Sequence, residues 1–182
     1  MSKFSIIYLR SFFILISILS IFNIIYSYYF NLYLNLSSYL PTMVISFIFV
    51  IVFFLVKSKD YKQSLFKKIL SVVIGYFLIP IIICLPYYFS IYNISFLNSY
   101  FEAISGFTST GFTIFDNIKH IDQSLILWRS STQWIGGLYF LFSIVFLIDI
   151  YDDSFKKSLT NYISFNSSEI FKQATKIFFL YS

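Results

Sequence analysis

Charge is scarce in this sequence: Asp, Glu, Lys and Arg together make up 12% of its 182 residues. Soluble domains carry about 25%. With 58% of the residues hydrophobic, a water-soluble globule is excluded and a membrane protein of several spans remains. There is one cysteine, Cys84, so an intrachain disulfide is excluded. Cys84 lies within an apolar run and reads as a small packing residue. There is one histidine, His120, in a polar connection with no second ligand close to it in sequence. No cluster with metal-ligand spacing and no nucleophile–base set is present, so an enzyme is not expected. The net charge of +5 could suggest nucleic acid. The basic residues lie beside apolar runs instead of forming one patch, which argues against it.

Aromatic residues are abundant, with 25 Phe and 16 Tyr. An AT-rich genome is the plain explanation for most of that excess. Tyr26, Tyr28 and Tyr29, and again Tyr87 and Tyr88, sit near span ends where interfacial belts belong. Four apolar stretches are long enough to cross a bilayer, which takes roughly 20 residues: 11–30, 40–56, 69–89 and 126–148. Ser37 and Ser38 are candidate caps for the second, with Pro41 in its first turn. Pro80 and Pro86 predict a kink or an early end in the third. The first run is long and lacks a small-residue cleavage site, so it reads as a retained helix and not as a signal peptide.

Orientation follows from Lys and Arg. Lys3 and Arg10 precede the first span; Lys57, Lys59, Lys62, Lys67 and Lys68 lie between the second and third; Lys156, Lys157, Lys172 and Lys176 follow the fourth. With four full spans, all of these fall on one side, leaving only Lys119 and Arg129 on the other. The positive-inside rule makes the amino terminus and the region after Asp149 cytoplasmic.

Residues 96–115 lie between the third and fourth spans. They are too polar for a comfortable span and too apolar for an ordinary loop. Residues 96–107 read as a helix of 12 residues, about 18 Å long at 1.5 Å per residue, roughly half the hydrocarbon thickness. Ser95 is its candidate cap. Leu97, Tyr100, Phe101, Ile104 and Phe107 form one apolar face; Ser99, Glu102, Ala103 and Gly106 form the other. Its carbonyl end would favour a cation in front of it. Thr108, Ser109, Thr110, Gly111 and Phe112 then turn outward. Gly111 can adopt backbone angles closed to other residues, and the carbonyls of an extended leg could replace the water shell of a cation. Thr113, Ile114 and Phe115 suit an extended return. The alternative is a Ser/Thr/Gly-rich outer loop with an amphipathic lead-in. The half-membrane length and the charge bias favour re-entry, because a full span here would put Lys156 and Lys157 outside. Non-helical backbone survives at that depth only when buried in protein or lining a water-filled path.

The fourth span opens with Trp128, which suits the outer interface. Arg129 and Gln133 lie one turn apart and should face protein. Gly136 and Gly137 allow close approach of another helix. Arg129 is expected to pair with Glu102; the alternative is that it reaches the outer headgroups.

Phe101-Glu-Ala-Ile-Ser-Gly-Phe-Thr-Ser-Thr-Gly-Phe112 and, after it, Leu127-Trp-Arg-Ser-Ser-Thr-Gln-Trp-Ile-Gly-Gly137 closely resemble the first pore loop and following helix of the Trk/Ktr-type potassium uptake proteins. The two leading spans resemble the family's extra amino-terminal helix pair, and residues 172–181 the opening of a second repeat. The resemblance implies four helix–pore-loop–helix repeats around a pseudo-fourfold pore, with potassium held by loop carbonyls of Thr108, Ser109, Thr110 and Gly111. Gly111 matches the filter glycine; related plant transporters with Ser there tend to pass sodium. The resemblance also implies homodimers and a cytosolic nucleotide-binding regulatory subunit. The sequence departs from the family at Leu138-Tyr-Phe140, where Met-Gly and small aliphatics are usual, and only one of the four repeats is present.

The expected fold is an all-α membrane protein with four transmembrane helices, a re-entrant pore helix with a filter loop, and the start of a fifth helix. The expected division is an amino-terminal helix pair over 1–60, a first pore repeat over 61–153, and a cytoplasmic connection with the start of a second repeat over 154–182. The expected function is potassium uptake across a bacterial plasma membrane, with this chain supplying one quarter of the filter and other copies or further repeats the rest. No cofactor is expected, only K+ as the transported ion. A non-conducting membrane scaffold or truncated remnant is the alternative. The short apolar run at the end predicts a fragment of a longer chain, or else a segment lying along the membrane surface.

Overall fold

The computed structural model describes residues 3–56, 65–117 and 121–148. Expectations at His120, at Lys57, Lys59, Lys62 and Lys119, and at every residue from Asp149 onward, including the start of a fifth helix, lie outside the described residues. Within them all regular structure is helical.

Helix α1 (Lys3–Tyr29) runs unbroken because no Gly or Pro interrupts its 27 residues. It ends at Asn31, which takes φ +58°, a left-handed conformation that Asn tolerates better than most residues. A 3₁₀ turn (Tyr33–Ser38) leads into α2 (Tyr39–Leu55). The expected Ser cap is not made there: the Ser38 hydroxyl donates back to the Asn35 carbonyl at 2.6 Å, inside the 3₁₀ turn. Helix α3 (Leu65–Ile83) contains Pro80. The chain breaks at Cys84, and a single turn, α4 (Leu85–Tyr88), follows with Pro86 in it. Pro86 has no N–H for the α3 ladder, which accounts for the early end.

Helix α5 (Phe96–Phe107) has the bounds read from the sequence. Ser95 caps it, its hydroxyl accepting from the Asn98 N–H at 3.3 Å. Helix α6 (Gln123–Ile148) starts at Asp122, whose carbonyl accepts from Leu125 and Ile126.

Three stretches are long and apolar enough to cross a membrane by length and composition: Tyr8–Tyr29, Tyr33–Leu55 and Ile69–Tyr88. Helix α6 has the length, but its first three turns carry Arg129, Gln133 and several hydroxyl residues. Helix α1 packs along α2 and also reaches α3 and α6, while α5 lies in the crevice between α3 and α6. The faces that point away from these contacts are apolar, with Leu97, Phe101, Phe47 and Phe77 all exposed. That arrangement suits lipid or protein neighbours and not water.

Two aromatic residues expected at the interface turn inward. Trp128 is buried; its indole N–H donates to the Ile83 carbonyl at 3.1 Å, at the end of α3 where Pro86 interrupts the ladder. Tyr87 is buried while Tyr88 beside it is exposed. For Trp128 the cause is that indole bond, since a buried Trp N–H needs an acceptor and the Ile83 carbonyl at the end of α3 supplies it. Tyr28 and Tyr29 stay exposed at the end of α1, as an interfacial belt requires.

Under α5 lies an aromatic platform. The Phe107 ring meets Tyr139 at 5.1 Å and Tyr76 at 5.7 Å, and Phe12 meets Tyr139 at 4.8 Å. The Tyr139 hydroxyl donates to the Val72 carbonyl at 2.8 Å. It occupies the space that a side chain at Gly75 would need. Gly75→Ala is therefore expected to destabilise by about 1–3 kcal/mol through overpacking. Pairing it with Tyr139→Phe should recover part of the loss; thermal unfolding of the purified variants measures both.

Candidate functional site

The site is the end of α5 together with the loop that leaves it. Helix α5 is amphipathic in an inverted sense: Ser99, Glu102, Ala103, Ser105 and Gly106 are buried against the protein, and Leu97 is 77% exposed. Close packing makes the buried side possible. A Cβ on Gly136 would overlap the Phe107 carbonyl, so the α5 backbone rests directly on α6. Gly106 faces Thr132 in the same way, with 2.8 Å left for a side chain.

The helix ends in a Schellman arrangement. Ser109 N–H donates to Gly106 O at 2.9 Å, and Thr110 N–H to Ser105 O at 3.1 Å. The left-handed position of that motif, usually glycine, is Ser109, with φ +57°. A non-glycine residue persists there only where its surroundings hold it, and such positions gather at functional loops. The Ser109 hydroxyl reaches the Gln133 carbonyl of α6 at 3.4 Å, and Ser105 and Thr110 share a hydroxyl bond at 3.1 Å. Gly111 then takes φ +79°, with open space where a Cβ would stand. The constraint at Gly111 is therefore conformational: a side chain has room, but the backbone angle disfavours it.

Glu102 and Arg129 form an ion pair, as their sequence positions predicted. Their side chains are 0% and 11% exposed, so the headgroup alternative for Arg129 is set aside. The pair also holds the loop at both ends. Arg129 Nη2 donates to the carbonyls of Gly111 and Phe112, each at 3.1 Å. The Glu102 carboxylate accepts from the Thr113 hydroxyl at 3.1 Å and from the Ile114 N–H at 3.0 Å. The Phe112 carbonyl also accepts from the Ser105 hydroxyl at 2.7 Å. A buried carboxylate is tolerable only when it is paired and hydrogen-bonded, and here it is both.

The structure thus brings Glu102, Arg129, Gly111 and Phe112 into one network and sets Gly136 beneath α5. Gln133 contributes its backbone carbonyl, while Gly137 is half-buried one residue beyond Gly136. The carbonyls of Thr108, Ser109 and Thr110 accept no hydrogen bond among the described residues, and all three residues are exposed. Sequence reasoning missed Ser105, Thr113 and Thr132. Ser105 and Thr113 do carry a signal: Ser105 lies three residues after Glu102 on the same helix face, and Thr113 continues the hydroxyl run across Gly111.

The long apolar helices are those of a multi-pass membrane protein. Its relatives are specific. Over 110 residues, 59% of the chain, it is 28% identical to an uncharacterized cation transporter of Methanocaldococcus jannaschii, covering 23% of that protein. Over 46 residues, 25% of the chain, it is 37% identical to the Trk system potassium uptake protein TrkG of Escherichia coli, covering 10% of it. Over another 46-residue alignment it is 41% identical to the Trk system potassium uptake protein TrkI of Halomonas elongata, covering 9% of it. The resemblance to Trk-type cation transporters read from the two motifs is borne out by these matches. The matched regions span less than a quarter of the curated relatives' length. No family model and no solved structure matches the chain.

Two outcomes test the site's construction. Glu102→Gln and Arg129→Gln should each cost about 3–5 kcal/mol, because each strands a buried charge. The double variant should cost less than the sum, read as a coupling energy in chemical or thermal unfolding. Gly136→Ala should drive α5 off α6 and lower the thermal midpoint more than Gly137→Ala does.

Proposed function

We propose that this chain takes part in potassium uptake across a cell membrane, and that the loop from Thr108 to Phe112 forms one quarter of a selectivity filter. The observation that carries this reading is the division of the loop carbonyls. Gly111 and Phe112 are tied to a fixed internal cation, the Arg129 guanidinium, while the carbonyls of Thr108, Ser109 and Thr110 accept no hydrogen bond among the described residues. Hard monovalent cations are held by such oxygens. The carbonyl end of α5 adds a partial negative charge close by. Glu102 neutralises Arg129, so the loop offers a permeating ion oxygen dipoles without a net opposing charge.

In this reading α6 is the fourth span, α5 is re-entrant, and the amino terminus is cytoplasmic in a bacterial plasma membrane. Residues 1–60 form the leading helix pair, residues 61–153 the first pore repeat, and residues 154–182 the connection toward a second repeat. Loop oxygens from one repeat reach an ion from one side only. Further repeats, or further copies of this chain, therefore complete the coordination. The names of the Trk relatives support K+ as the transported ion. The resemblance supports assembly as a homodimer and docking of a cytosolic nucleotide-binding regulatory subunit. Transport, and no covalent chemistry, is the proposed activity.

Gly111 acts here through its backbone. Gly111→Ser keeps the space but strains φ +79°, and is expected to blunt discrimination between potassium and sodium. The test is growth of a potassium-uptake-deficient host at low potassium, with rubidium and sodium uptake measured in parallel. Rescue by the wild-type sequence and loss of selectivity in Gly111→Ser are expected. Equal rescue and equal selectivity would remove Gly111 from the filter. Absence of rescue, with the protein present in the membrane, would favour the non-conducting scaffold.

A further inference from the structure

The leading helix pair carries a polar seam that the proposed filter does not use. Helices α1 and α2 run antiparallel, and three contacts set their register: Phe13 stacks on Phe49 at 5.0 Å and on Phe53 at 5.7 Å, and Arg10 lies 4.5 Å over Phe54. Carried toward the connecting turn, that register places Ser20 near Ser46, Asn23 near Thr42 and Ser27 near Ser38. All six residues are buried. Polar side chains on matched turns of two otherwise apolar spans are costly against hydrocarbon, so each one has to find a partner.

Several find it on their own helix. Ser20 donates to Ile16 O at 2.9 Å, Asn23 Nδ2 to Leu19 O at 2.9 Å, and Ser46 to Met43 O at 3.0 Å. Three atoms do not: Asn23 Oδ1, Ser27 Oγ and Thr42 Oγ1 are buried with no hydrogen-bond partner. The residues that own them are fully buried. Ser27 and Thr42 could turn back to their own helix, as Ser20 does, yet they leave that bond unmade. The register sets Asn23 against Thr42 across the seam, and neither Asn23 Oδ1 nor Thr42 Oγ1 has a hydrogen-bond partner.

We propose that this seam is an internal water site, one ordered molecule bridging α1 and α2. The water donates to Asn23 Oδ1 and exchanges hydrogen bonds with the hydroxyls of Thr42 and Ser27. That makes three partners, within the two to four that a buried water takes. The ligand is water and not a metal ion: the set contains no carboxylate, and the helical carbonyls beside it are already engaged. In a bilayer, apolar burial does not drive helices together, so a water-bridged polar contact fixes the register of the pair. This site stands independently of the filter.

The test is water-edited solid-state NMR on the full chain in lipid bilayers, with labelled Asn side chains and Thr, water itself being the probe. Rapid magnetisation transfer from water to the Asn23 amide and to Thr42 is expected, with none to Phe13 or Ile16 on the same helix pair. Thr42→Val should abolish the transfer and lower the thermal midpoint; Thr42→Ser should keep both. Transfer to Asn23 and Thr42 no faster than to Phe13 overturns the proposal, as does a Thr42→Val variant that melts at or above the wild type. A signal that changes when sodium replaces potassium in the buffer would mean a cation occupies the seam, and would overturn it too.

Discussion

The Glu102–Arg129 ion pair is the interaction on which the candidate site depends. It joins the short helix to α6, and the same two side chains grip the loop that follows. Two opposite charges buried together cost little net free energy when every lone pair and proton has a partner, and a great deal when one side is missing. The loop supplies those partners. Thr113 and Ile114 donate to the carboxylate, and Gly111 and Phe112 accept from one nitrogen of the guanidinium. Loop and pair are therefore one cooperative unit, and the loop's shape is inherited from a salt bridge instead of from secondary structure.

The depth at which α5 stops has a separate cause. Phe107 lands on Tyr76 and Tyr139, and those rings are themselves held by Phe12 and by the notch at Gly75. Gly136 lets the backbone of α5 settle on α6 before the helix ends. The aromatic platform limits the helix from below, and the ion pair holds it from the side. Tyr139 lies in the stretch where the chain departs from the Trk pattern. The departure is accommodated by pairing a large residue on α6 with a glycine on α3, which keeps the helices close.

Much of this was legible in the residues. The bounds of α5 followed from Ser95, from a 12-residue amphipathic run and from the hydroxyl–glycine turn after it. The ion pair followed from two charges that hydrocarbon would not tolerate. The inward turn of Trp128 was not legible, because it depends on the Ile83 carbonyl at the end of α3 coming within reach of an indole on α6. Nor was the second role of Arg129, since its reach to Gly111 and Phe112 requires the left-handed angles at Ser109 and Gly111.

By itself, then, the order of amino acids settled that the chain partitions into a membrane, roughly where its helices run, and which two charges in the apolar stretches were candidates to meet. Those properties depend on local composition, on periodicity and on the cost of an unpaired charge in hydrocarbon, all of which can be evaluated along one dimension. The tertiary structure alone decided which face each helix turns inward, where α5 comes to rest on its neighbours, and which loop carbonyls are spent on Arg129 and which accept no bond among the described residues. Those outcomes depend on contacts between residues far apart in the chain, whose geometry exists only once the helices have packed.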